Sequence, residues 1–264
     1  MASKLKFRFW GKMRLAEAYA GELDFDQLDS RGLGSLHWCV TRNEKELFTE
    51  ALAKGAPVNQ LTSHTESSPL HYAAEQDSLL FTKELLSAGA EIDAVDRDRR
   101  TPLHLAVDSK KLVQVRFLIE SGCVRCPLDR NKWSPLDLAF RTGNLKLIEY
   151  LTGLDDTNHR SWSRRLLLAA ELQQLDVVDW LLAQGANPLT KNKHGQTPID
   201  LASTPPYGLE LDAETRLENQ IPNSPQAQVI RRLRDAAPET RSEQGAAEQP
   251  ATADESNDPL NSNP

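Results

Sequence analysis

Apolar and polar positions along this chain return in the same order about every 33 residues. The segment Thr101-Pro102-Leu103-His104-Leu105-Ala106 has counterparts in Ser68-Pro69-Leu70-His71-Tyr72-Ala73, Ser134-Pro135-Leu136-Asp137-Leu138-Ala139 and Thr197-Pro198-Ile199-Asp200-Leu201-Ala202. Weaker copies are Ser35-Leu36-His37-Trp38-Cys39 and Arg165-Leu166-Leu167-Leu168-Ala169. With Ser35, Pro69, Pro102, Pro135, Arg165 and Pro198 taken as equivalent, the spacings are 34, 33, 33, 30 and 33 residues. A fixed period of this length is the signature of a stacked repeat.

Each unit reads as a helical hairpin. Proline suits the first turn of a helix, where its missing N–H would have no partner in any case. Ser or Thr before it caps the exposed amides. Eleven residues after Val40, Ala74, Val107 and Ala170 stand the pairs Ala51-Leu52, Leu85-Leu86, Leu118-Ile119 and Leu181-Leu182. These form the inward stripe of a second helix. Gly55-Ala56, Gly89-Ala90, Gly122-Cys123 and Gly185-Ala186 follow, with the glycine ending that helix in a left-handed conformation.

These units resemble ankyrin repeats over roughly Asp29 to Ser203. The resemblance rests on Thr-Pro-Leu-His, the Leu-Leu pair and Gly-Ala-x-x-Asn/Asp, as in Gly55-Ala56-Pro57-Val58-Asn59 and Gly89-Ala90-Glu91-Ile92-Asp93. It implies an all-α solenoid of about six helix-hairpin units, with β-turn loops projecting as fingers. Residues 1–28 are expected to hold a basic segment and a short capping hairpin near Met13–Leu28, and 29–237 the array. The last unit breaks after Ser203 at Pro205-Pro206, and its second helix returns at Ser224–Ala237. An insertion near 204–223 accounts for this; an unrelated helix docked on the array end is the alternative.

Charge changes the picture at the ends and on the fingers. The net charge is −7, and −5 of it lies in 238–264, a stretch with one large aliphatic, Leu260. Such a segment cannot offset its ordering entropy and is expected to be disordered. By contrast, the finger segments Arg97-Asp98-Arg99-Arg100, Arg130-Asn131-Lys132-Trp133, His159-Arg160-Ser161-Trp162 and Lys191-Asn192-Lys193-His194 sum to +7 with His neutral. Trp and Arg anchor many protein interfaces, so Arg97, Arg99, Arg100, Arg130, Lys132, Trp133, Arg160, Trp162, Lys191 and Lys193 are the expected partner-binding residues. In the family, these loops and the ends of the first helices line the usual binding face. Here those helix ends carry Thr41-Arg42, Glu75-Gln76, Asp108-Ser109, Arg141-Thr142 and Glu171-Leu172, a mixed polar set.

Chemistry finds little footing. His37, His71 and His104 invite a metal or acid–base role, yet each fills the His slot of its repeat. The resemblance implies that they bond within and between units, with Asp137 and Asp200 doing the same job. Cys123-Val124-Arg125-Cys126 is a lone C-x-x-C without the four ligands of structural zinc. Gly32-Leu33-Gly34 lacks the third glycine and preceding strand of a nucleotide loop. The irregular stretch Gly153–Ser163 groups Asp155, Asp156 and His159 but pairs no nucleophile with a base. The amino-terminal Lys4-Leu5-Lys6-Phe7-Arg8-Phe9-Trp10 alternates base with apolar and reads as a frayed start or an extended strand along the first unit, with contact to anionic lipid the alternative. No run approaches the ~18 apolar residues of a membrane span, and no secretory leader is evident. Free thiols in a reducing, cytoplasmic compartment follow.

The expected function is therefore a non-enzymatic protein-interaction module (adaptor, inhibitor or effector), without cofactor or metal and monomeric by itself. Its basic fingers would hold an acidic protein. Binding of a polyanion, nucleic acid or anionic lipid, by the same ridge is the alternative.

Overall fold

The computed structural model describes residues 28–29, 31–154, 162–203 and 224–237. The expected amino-terminal cap, most of the irregular 153–163 stretch, the 204–223 insertion and the acidic tail lie outside the described residues. Among the described residues the regular structure is helical throughout. Six hairpins follow one another: α1 Ser35–Arg42 with α2 Lys45–Ala53, α3 Pro69–Ala74 with α4 Leu79–Ser87, and α5 Pro102–Asp108 with α6 Leu112–Glu120. Then come α7 Pro135–Thr142 with α8 Leu145–Thr152, α9 Trp162–Glu171 with α10 Leu175–Ala183, and α11 Pro198–Ala202 with α12 Pro225–Ala236. We number these units 1 to 6. Each helix meets its own hairpin partner, and each first helix meets the first helix of the next unit, which is the quasi-one-dimensional packing of a solenoid. No helix among the described residues is long and apolar enough to cross a membrane.

The helix starts obey the motif. Proline occupies the first turn of α3, α5, α7, α11 and α12. At the hairpin ends Gly55, Gly89, Gly122 and Gly185 all have φ between 84° and 90°, a region where a Cβ is penalised. α12 packs against both α10 and α11, in the place of a second helix for unit 6. Its Gln226 Nε2 donates to the Ala202 carbonyl at 2.8 Å.

The core forms two blocks. One joins units 1 and 2 through Leu36, Phe48, Leu70, Phe81 and Leu85; Phe48 and Phe81 meet edge to face at 4.9 Å. The other runs from Ala74, at the end of α3, through units 3 to 6 to Leu233. Fully buried Gln114 sits where they join. Its Nε2 donates to the carbonyls of Ala73, Gln76 and Ser78 at 3.0–3.1 Å, and its Oε1 accepts from Thr82 at 2.8 Å. A satisfied polar hub of this kind fixes which unit meets which, because its loss strands several buried groups at once.

Candidate functional site

The fingers are the projecting surface, and a single device builds them. In the first, Asp29 Oδ1 accepts from the N–H groups of Arg31 and Leu33 at 2.8 and 2.9 Å. Asp96 does the same for Asp98 and Arg100, Asp129 for Asn131 and Trp133, and Asn192 for His194 and Gln196. The second finger is one residue longer and uses the Thr62 hydroxyl, which accepts from the Ser67 N–H. Each cap turns inward while its neighbours turn out: Asp96 and Asp129 are buried, Arg97 and Arg130 exposed. The first four fingers are then tied side by side. Ser63 N–H donates to the Gly32 carbonyl, Arg97 N–H to Thr65 and Arg130 N–H to Asp98, at 2.8–3.2 Å.

Third after the cap, four fingers require positive φ. Glycine fills the position at Gly32 and Gly195, with φ of 74° and 79°. Arg99 and Lys132 fill it in the third and fourth fingers, at 60° and 62°. A side chain in this region costs on the order of 1 kcal/mol or more. Both cations are exposed, and neither they nor Lys191 and Lys193 form an ion pair within 4 Å among the described residues.

The remaining finger cations are partly neutralised. Arg97 lies 3.7 Å from Glu66 and Arg130 4.0 Å from Asp98, each pair spanning two neighbouring fingers. Arg100 is held by its own cap, Asp96, at 2.8 Å. Trp133 is half-buried where finger meets helix, with the Arg141 guanidinium 5.7 Å from its ring centroid. Arg141 also pairs with Asp108 of the preceding unit at 2.7 Å. One unit further back, burial raises the Glu75 carboxyl above the usual range. The covering of Trp133 by Arg141 was not read from sequence, although both residues stand at repeat positions that face the finger.

Arg160 and Trp162 complete the expected set. Arg160 lies outside the described residues. Trp162 is a correction: it opens α9 and is buried, stacked edge to face on Trp180 at 5.3 Å and on Phe140 at 6.3 Å. α9 starts three residues ahead of the proline position of the other units, so the tryptophan assigned to a finger belongs to a helix and its core.

The histidines do hold the units together. His37, His71 and His104 accept at Nδ1 from the backbone N–H of Gly34, Ser68 and Thr101. Nε2 therefore carries the proton and donates to the carbonyls of Ser67, Arg100 and Trp133 in the next finger, at 2.9, 2.9 and 3.2 Å. Burial depresses all three, His37 to about 4. Asp137 and Asp200 keep the local half of this work, accepting from Ser134 and Thr197. A carboxylate has no proton to donate forward. Unit 5 supplies the link to Asp137 instead: buried Arg165 places Nη2 3.5 Å from its Oδ1 and lies over Phe140 and Trp162. Asp200 is exposed, and the amide and hydroxyl of Thr197 hold its carboxyl below the usual range.

Cys123 is buried in the small-residue position after Gly122, and burial pushes its thiol up to about 12; Cys126 is exposed. Among the described residues no three His, Cys, Asp or Glu side chains converge on a metal-sized site. Gly32 and Gly34 belong to the first finger and the start of α1.

Stacked helix hairpins joined by a ladder of projecting turns define a repeat solenoid, a class whose extended surface serves to hold other proteins. Comparison with known proteins identifies the kind. A model of three consecutive ankyrin repeats matches residues 70–161, and a single-repeat model matches 166–193. Residues 70–193 of this chain are ankyrin repeats. The ankyrin repeat domain of Bcl-3, described as a unique member of the IkappaB protein family, superposes with a TM-score of 0.57 at 24% identity, covering 72% of this chain and 86% of that one. The mouse palmitoyltransferase ZDHHC13 is 35% identical over 66 residues, which are 25% of this chain and only 11% of that protein.

Proposed function

We propose that this array is a non-enzymatic binding module that holds an acidic protein surface against its fingers. Arg97, Arg99, Arg100, Arg130, Lys132, Lys191 and Lys193 supply the charge, and Trp133, braced by Arg141, the apolar anchor. Arg99 and Lys132 carry the reading most directly. They stand exposed and unpaired among the described residues at turn positions where two other fingers use glycine. A strained backbone that presents a cation serves no packing purpose, and strain of this kind gathers at functional sites. The backbone ladder also presents these groups already ordered, which lowers the entropy lost on binding. Three free cysteines fit a reducing compartment such as the cytoplasm.

The test is capture from lysate by wild type and by an Arg99→Glu, Lys132→Glu, Lys193→Glu variant, each with an unchanged melting curve. A protein held by wild type, lost from the variant and released as salt rises to about 0.5 M is the expected result. Equal capture by both refutes the finger site.

A further inference from the structure

Of the seven large aliphatic side chains most exposed among the described residues, Val113, Val124, Leu172 and Leu189 stand apart, while Leu61, Val95 and Leu128 share one repeat position. The residue just before the inward cap is Leu28, Leu61, Val95 and Leu128 on four consecutive fingers, at spacings of 33, 34 and 33 residues. Leu61, Val95 and Leu128 are 47%, 53% and 52% exposed, and Leu28 is partly exposed. The same backbone bonds that join these four fingers hold the four side chains in one row. On the far side of each buried cap stands an exposed residue: Ser63 after Thr62, Arg97 after Asp96 and Arg130 after Asp129. In the last finger both flanks are lysine, Lys191 and Lys193, about Asn192. The fingers thus carry an apolar row beside a basic one, and the apolar row gives way to charge at the last unit.

We infer that the row Leu28, Leu61, Val95 and Leu128 docks an extended acidic segment of a partner protein that carries its own large apolar side chains. This rests on the basic-finger reading and adds to it the second half of the partner's chemistry. Charge complementarity selects the acidic residues: Arg97, Arg99, Arg130 and Lys132 flank the row. The apolar residues follow from the cost of leaving aliphatic surface in water, which coverage by a polar acidic loop would not relieve. Packed helices lie about 8–10 Å apart, and an extended chain in the polyproline II form advances about 3.1 Å per residue and returns to the same face every third residue. Every third residue of the bound segment therefore meets the next finger.

The probes are two fluorescein-labelled 15-residue peptides read by anisotropy against the full chain. In one, Leu recurs at every third position among Glu; in the other, Ser replaces each Leu. The Leu peptide is expected to bind at least tenfold tighter. A Leu61→Ser, Val95→Ser, Leu128→Ser variant should equalise the two peptides, whereas Leu61→Met, Val95→Met, Leu128→Met should restore the difference; melting curves report that both fold. Equal binding of the peptides to wild type overturns the inference and leaves the cation reading intact. A Leu-peptide affinity that survives Arg99→Glu, Lys132→Glu, Lys193→Glu strikes the cation reading instead. No binding of either peptide overturns the inference. So does a tenfold gain in Leu-peptide affinity on deleting residues 238–264, which assigns the row to the chain's own acidic segment. A concentration-dependent dimer lost in the serine variant would assign it to a second copy.

Discussion

Units 1 to 3 and units 4 to 6 solve the same problem with different chemistry. In the first three, a buried neutral histidine caps its own helix and donates to the next finger, so a single side chain serves two units. In unit 4, aspartate keeps the cap but has no proton to pass on, and Arg165 reaches back from unit 5 across Phe140. The core changes one unit earlier, where the block of units 1 and 2 meets that of units 3 to 6. Ahead of it the units meet through Phe48 and Phe81 and the Gln114 hub; behind it Phe140, Trp162 and Trp180 cluster. The finger surface follows, from aliphatic and arginine in the front half to lysine at the end. A repeat tolerates the loss of its linking group when the neighbour supplies the missing donor, and the replacement is ionic where the original was neutral.

The sharpest way to break the comparison is at the join. Gln114→Leu leaves three carbonyls and the Thr82 hydroxyl without their buried partner, and should lower stability by about 3 kcal/mol in urea unfolding. A second transition in that unfolding curve would show the two blocks parting separately. Next in size is the replacement link. Arg165→Met should cost about 2–3 kcal/mol, and combined with Asp137→Asn it should cost less than the two singles added, since each single strands the other's partner. A strictly additive cycle would remove the proposed compensation.

The halves should also separate by pH. His37 has its folded value depressed to about 4 from 6.5. The unfolded chain therefore takes up the proton first, and the stability this histidine gives is full above 6.5 and lost as pH falls toward 4. By pH 5 the loss from His37 amounts to about 2 kcal/mol. His71 and His104 act in the same direction. His37→Gln, whose amide can still donate forward, should flatten that slope between pH 6.5 and 5 in thermal melts. Arg165→Met should leave the slope unchanged. The smallest expected effect lies on the fingers: Arg99→Gly and Lys132→Gly should each stabilise by about 0.5–1 kcal/mol while weakening capture of the partner.

Much of this fold is legible in the chain because its rules are local and recur. Pro102 after Thr101, the Leu118-Ile119 pair and Gly122 each specify one turn of backbone, and the period multiplies the signal. The histidine role was legible on the same ground. Trp162 was not, because the Pro slot of its unit holds Arg165 and nothing at that point sets where the helix begins. The extra turn is fixed by burial against Phe140 and Trp180, two units' worth of distant packing. The aliphatic row before the caps was present in the sequence at regular spacing. It stays silent there because an isolated Leu or Val reads as core until its exposure is known, and only the inward turn of Asp96 and Asp129 puts their neighbours outside.

That inward turn has a bearing on how such a surface changes over generations. Each described finger hangs from one carboxylate, carboxamide or hydroxyl and from backbone amides, none of which depends on the residues either side. Substitutions at 63, 95, 97, 128, 130, 191 and 193 alter what the array presents while leaving the stacking of its helices untouched. Partner choice can then drift, or be rewritten by selection, one finger at a time, with the scaffold inherited whole.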